Sequence, residues 1–76
     1  METKVLEILK TIRPEYDFEK SENFVEDGYL DSYDVVTIVA EIEDTFGIVI
    51  DGMDVLPEYF ATVDDICELI RRNGGK

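Results

Sequence analysis

Three separate runs of this chain repeat apolar residues at helical spacing, and together they leave little room for any other kind of fold. From Thr3 to Ile12 the run is Val5, Leu6, Ile8, Leu9 and Ile12, one buried stripe. Pro14 ends it, because the residue before a proline avoids the helical region. A second run, from about Ser32 to Phe46, carries Val35, Ile38, Val39, Ile42 and Phe46 within one arc, and Gly47 supplies its stop. Thr62 begins the last run, with Thr62-x-x-Asp65 spaced as a capping box, a stripe of Val63, Ile66, Leu69 and Ile70, and Asn73-Gly74 as its close. Pro57 suits the first turn of a short additional helix, Pro57 to Ala61. Residues 14–30 show no sustained period; Phe18, Phe24, Val25 and Leu30 are scattered among acids, and Gly28 marks a turn. Ile48 and Ile50 alternate with Val49 and Asp51, but no second strand is available to pair, so an extended loop is expected. The expected fold is all-α: a bundle of three to four helices, the third of four being short, with a long first connection, in one domain over residues 1–76.

With 76 residues the chain cannot bury a large core, and a deep catalytic cleft would consume much of it. The formal charge is −12, from 19 acids against seven bases. Between Ser21 and Ile70 there is no Lys or Arg but 14 Asp and Glu. A helix surface usually mixes signs, because i,i+4 pairs add a little stability; here the middle of the chain accepts self-repulsion. Such a surface suits basic partners, or solubility alone. It disfavours nucleic acid and anionic membranes. Cys67 is the only cysteine, so no internal disulfide can form, and no stretch reads as a signal peptide or a bilayer span. A cytoplasmic monomer without membrane insertion is expected.

Most catalytic machinery is excluded by residue type. There is no His, so no Ser–His–Asp or Cys–His arrangement can form, and no zinc, phosphate-loop or calcium-loop pattern is present. Asp51 and Asp54 read as solvated loop acids or as a weak divalent-cation site; no metal is assigned. What remains is Gly28-Tyr29-Leu30-Asp31-Ser32-Tyr33-Asp34, where the second helix starts. Asp31 suits an N-cap, since its carboxylate can accept from a free backbone N–H, and Asp34 stands three residues later, as in a capping box. Ser32 then falls in the first turn. A helix N-terminus offers unpaired N–H groups and partial positive charge, a setting that tolerates a covalently attached phosphate.

The run Asp31-Ser32-Tyr33-Asp34, followed by Val35-Val36, Ile38-Val39, Ile42-Glu43, Phe46-Gly47-Ile48 and Ile50, resembles the acyl and peptidyl carrier protein family. The resemblance continues through Thr62-Val63-Asp64-Asp65-Ile66 and Leu69-Ile70. It implies a four-helix bundle and a phosphoprotein whose Ser32 carries 4′-phosphopantetheine, with Asp31 beside the attachment point. It further implies a separate phosphopantetheinyl transferase that takes the group from coenzyme A, and a thioester-held cargo presented to an adenylating ligase or a synthase. The chain would then be a carrier and not an enzyme. Tyr33 stands where Leu is usual, which is similar to the D-alanyl carrier proteins and their stand-alone relatives, and Thr37 stands where an acid is often found.

On a helical wheel Val36 leaves the buried arc and groups with Ser32, Ala40 and Glu43. With Tyr33 and the acids Asp34, Glu41, Glu43 and Asp44, this strip is expected to dock partner enzymes; otherwise Val36 packs under a loop. Phe24, Val25, Tyr29 and Leu30 are expected to tie the long loop down, and Tyr59 and Phe60 to do so for the short helix or to line a cavity for an acyl chain. Cys67 reads as a small core hydrophobe. The alternatives to a carrier are an acidic helical interaction domain with unmodified Ser32 and, less favoured, a domain stabilised by a divalent ion.

Overall fold

The computed structural model describes residues 1–75. Three α-helices, α1 (Glu2–Ile12), α2 (Ser32–Phe46) and α3 (Val63–Arg72), are joined by connections that carry short 3-10 turns at Phe18–Lys20, Gly52–Asp54 and Pro57–Phe60. No strand occurs among the described residues. Each helix contributes its expected stripe: Val5, Ile8 and Leu9 from α1, Val35, Ile38 and Ile42 from α2, Ile66, Leu69 and Ile70 from α3, all buried in one continuous core. Cys67 joins them at 1% exposure, and burial pushes its thiol pKa up, so it stays a protonated apolar filler.

α1 packs on both α2 and α3. At one end Lys4 Nζ lies over the Phe46 ring, 5.9 Å from its centroid, and at the other Arg13 reaches Asp34. These contacts make α1 and α2 antiparallel and bring the end of α1 against the start of α2. Gly47 stops α2 in the left-handed region at φ 65°, and its N–H donates to the Glu43 carbonyl.

The expected third helix is a single 3-10 turn, Pro57–Phe60. The physical reason is crowding between two fixed points. Phe60 is fully buried, and Thr62 must turn extended (φ −140°, ψ 167°) so that its hydroxyl can accept the Asp65 N–H at 3.1 Å and cap α3. A second turn has no residues left to form from. Tyr59 lies half-buried under the Arg72 guanidinium, 5.4 Å from ring centroid to Cζ, so Tyr59 and Phe60 hold this turn in place.

The long first connection is ordered by anchors spread along it. Phe18, Phe24 and Leu30 are each at most 2% exposed. The Phe24 N–H donates to Ala61 O at 2.8 Å, while Phe24 O accepts from both Tyr29 and Leu30. Asn23 Oδ1 accepts from Val25 and Glu26, and the Ser21 hydroxyl donates to Asp27 Oδ2 at 2.6 Å. The connection therefore delivers the chain to residue 31 on a fixed path.

Candidate functional site

Asp31 is the extended N-cap of α2, and Ser32 is the first helical residue. The cap is reciprocal. Asp31 Oδ1 accepts the Asp34 N–H at 2.9 Å, and Asp34 Oδ2 accepts the Asp31 N–H at 3.2 Å. Ser32 and Tyr33 lie inside this closed turn, both exposed. The cap uses only the flanking carboxylates and leaves the Ser32 hydroxyl out. The Asp31 carboxyl is held below its ordinary pKa, first by the hydrogen bond from the Asp34 backbone N–H, with smaller help from the Tyr33 N–H and the Arg13 charge.

Asp34 does a second job. Its side chain is 6% exposed, and Arg13 grips it from Nε at 3.2 Å to Oδ1 and 3.1 Å to Oδ2, and from Nη2 at 3.0 Å to Oδ2. The same guanidinium stands 3.9 Å from Asp31 Oδ2 and 3.6 Å from Glu15 Oε2. Its pKa is raised, chiefly by the Asp34 hydrogen bonds. Three carboxylates and one guanidinium thus surround the turn that bears Ser32. The turn presents the Ser32 side chain at the exposed start of α2.

A family model described as a phosphopantetheine attachment site matches residues 3–70. The chain belongs to that family. Phosphopantetheine attachment domains are carriers, not catalysts, and the group they bear is 4′-phosphopantetheine, supplied by a phosphopantetheinyl transferase and used by synthases or ligases. The match runs from α1 to the last turns of α3, and the all-helical architecture agrees with the carrier fold. Compared with individual curated proteins and with solved structures, the chain finds no significant match.

Within this carrier domain the α2 residues separate into two groups. Tyr33 (80% exposed), Val36 (66%), Ala40 and Asp44 are all open to solvent, so Val36 does not pack under a loop. Asp34 is a correction. Asp34, expected to meet bases on a partner, is buried and spent on the cap and on Arg13. Glu43 is half-buried, and its Oε2 accepts the Ile50 N–H at 2.9 Å, which holds the segment after α2 against the helix. Asp51 and Asp54 are likewise engaged: Asp51 Oδ1 accepts from the Met53 N–H, and Asp54 accepts from Arg72 and Asn73. No cluster suited to a metal ion occurs among the described residues.

Sequence reasoning did not single out Arg13. Its role depends on α1 and α2 running antiparallel, which sets a base at the end of one helix beside acids at the start of the other. A signal was present: in an antiparallel pair, the base next to Pro14 is the one that would reach the Asp31–Asp34 turn.

Proposed function

We propose that this chain is an acyl or aminoacyl carrier, with 4′-phosphopantetheine attached to Ser32. The observation that carries the reading is the place of Ser32. It is the exposed first residue of α2, its hydroxyl lies outside the cap, and it falls within the matched span. A phosphodiester there fits the residues present. The first turn contributes outward N–H groups and the positive end of the helix dipole. Arg13 offsets the carboxylates of Asp31, Asp34 and Glu15, which would otherwise repel an anion.

In the loading step the Ser32 Oγ attacks the phosphorus of coenzyme A that bears the pantetheine. The Oγ–P bond forms, the pyrophosphate P–O bond breaks, 3′,5′-ADP leaves, and the serine proton passes to a base on the transferase. Once bound, the arm supplies a terminal thiol that holds cargo as a thioester. The helices contribute a fixed anchor and a high effective concentration of tethered cargo. Tyr33, Val36, Ala40 and Asp44 form the strip offered to partner enzymes, with the acid steering basic surfaces on encounter. The exposed Tyr33 favours partners of the adenylating-ligase kind, as in the D-alanyl carrier type, and the cytoplasm suits a free thiol.

Intact mass spectrometry after incubation with coenzyme A and a broad-specificity transferase tests this reading. A gain of one phosphopantetheine, abolished by Ser32→Ala, is expected. A wild-type chain that stays unmodified with several competent transferases would point to the acidic interaction domain instead.

A further inference from the structure

The Ser32 turn is closed by two hydrogen bonds, and one of them depends on a carboxylate that water barely reaches. Asp34 Oδ2 accepts the Asp31 N–H at 3.2 Å and, at the same time, Arg13 Nε at 3.1 Å and Nη2 at 3.0 Å. Asp34 is 4% exposed, so its charge has to be compensated where it stands. Arg13 is well placed to do so rigidly. It is the C-cap of α1, its own N–H donates to Leu9 O at 2.9 Å, and Pro14 follows it. The planar guanidinium engages both carboxylate oxygens, a geometry an ammonium cannot reproduce. The end of α1 is thereby bolted to the turn that presents the serine.

We infer that Arg13 is a positioning residue for the loading of Ser32, acting through Asp34. The inference rests on the attachment of phosphopantetheine to Ser32. Without Arg13, the Asp34 carboxylate is left with the Asp31 N–H as its one remaining side-chain hydrogen bond. Rotating out to water relieves the charge but opens the reciprocal cap, and the first turn of α2 frays with Ser32 on it. Val36 and Asp44 of the docking strip are exposed and lie beyond the Asp31–Asp34 cap. The loss therefore falls on the orientation of the attacking hydroxyl and not on recognition of the carrier.

The test compares wild type, Arg13→Gln, Asp34→Asn and the double variant as carrier substrates for a transferase, well below each melting temperature. Arg13→Gln is expected to lower kcat on the order of tenfold, as a displaced nucleophile does, with the KM for the carrier within about twofold. Added to Asp34→Asn, it should cost little more, because both act through one contact. In the unmodified protein, amide exchange at Asp31 and Asp34 should quicken in Arg13→Gln while Ile42 and Ile66 stay protected. A wild-type kcat in Arg13→Gln, or losses that multiply in the double variant, overturns the inference. If Arg13→Gln does not fold, Arg13→Lys, which keeps the charge but not the fork, is read by the same split of kcat and KM. A wild-type chain that is never loaded is a different result, and defeats the Ser32 assignment itself.

Discussion

The ring of Tyr16 lies flat against that of Tyr29, with centroids 4.4 Å apart and planes 6° from parallel. Phe18 meets Tyr29 and Phe24 edge-on, at 5.7 and 5.0 Å, so four aromatics lock the long connection together. In a double-mutant cycle, Tyr16→Leu and Tyr29→Leu should couple by about 0.5–1.5 kcal/mol beyond the area each buries. Phe18→Ala, at a site only 2% exposed, should cost about 3–5 kcal/mol. A chain of this length has roughly 4–11 kcal/mol in total. Urea denaturation should therefore find Phe18→Ala near the edge of unfolding, and an unchanged midpoint would contradict the anchoring role.

The sequence disclosed what is local and hid what depends on docking. Val35, Ile38 and Ile42 could be read as buried because a helical stripe repeats within a few residues. The Asp31–Asp34 cap was equally legible, since it closes over three positions. Asp34 was nonetheless assigned to partner recognition, because its burial depends on Arg13, 21 residues earlier and on another helix. Tyr16 escaped notice for the same reason: it belongs to no period, and its partner is recruited only when the connection folds back. Glu43 reads as a surface acid on the wheel, and only the path of residues 48–50 turns it inward to the Ile50 N–H.

Gly47 takes φ 65° with open space where a Cβ would point, so substitution there meets backbone strain and no clash. Gly47→Ala should lower stability by about 1 kcal/mol, and Gly47→Asn by less, because Asn tolerates the left-handed region better. Thermal melting of the three proteins checks the order. Equal losses for Ala and Asn would mean that conformational preference is not the cause.

The depressed pKa of the Asp31 carboxyl gives a defined acid response. A carboxylate whose folded pKa lies below its unfolded value, ~3.9, stabilises the fold above that pH and loses this contribution as pH falls through the folded value. Its NMR titration midpoint should therefore lie below ~3.9. Asp31→Asn keeps an acceptor for the Asp34 N–H but cannot titrate, so its stability should fall less steeply than that of wild type on acidification below about pH 4. Parallel acid limbs in the two proteins would remove Asp31 from the response.

Added salt should stabilise the chain. Ion pairs such as Lys10–Glu19 at 3.3 Å and Arg71–Glu68 at 3.7 Å are exposed, and pairs of that kind contribute little that screening could take away. Against them stands a net charge of −12, with no base between Ser21 and Ile70. Screening acts mainly on that surplus, because the Debye length shrinks to about 10 Å at 0.1 M. The melting temperature should rise from low to moderate sodium chloride. A flat or falling curve would mean that the central acids do not strain the fold.

Val36 and Ile38 stand two positions apart on α2 and should respond in opposite ways. Ile38 is 1% exposed, so Ile38→Ala should cost about 2–5 kcal/mol of stability. Val36 is 66% exposed, so Val36→Ala should move stability by no more than about 0.5 kcal/mol. If the strip bearing Tyr33 and Val36 docks the transferase, Val36→Ala should instead raise the carrier KM about fivefold, equivalent to ~1 kcal/mol of binding. Because Val36 lies outside the Asp31–Asp34 cap, kcat should hold. This is the reverse of the pattern expected for Arg13→Gln, so the two variants separate recognition of the carrier from orientation of its serine. An unchanged KM with Val36→Ala would take that residue out of the docking strip.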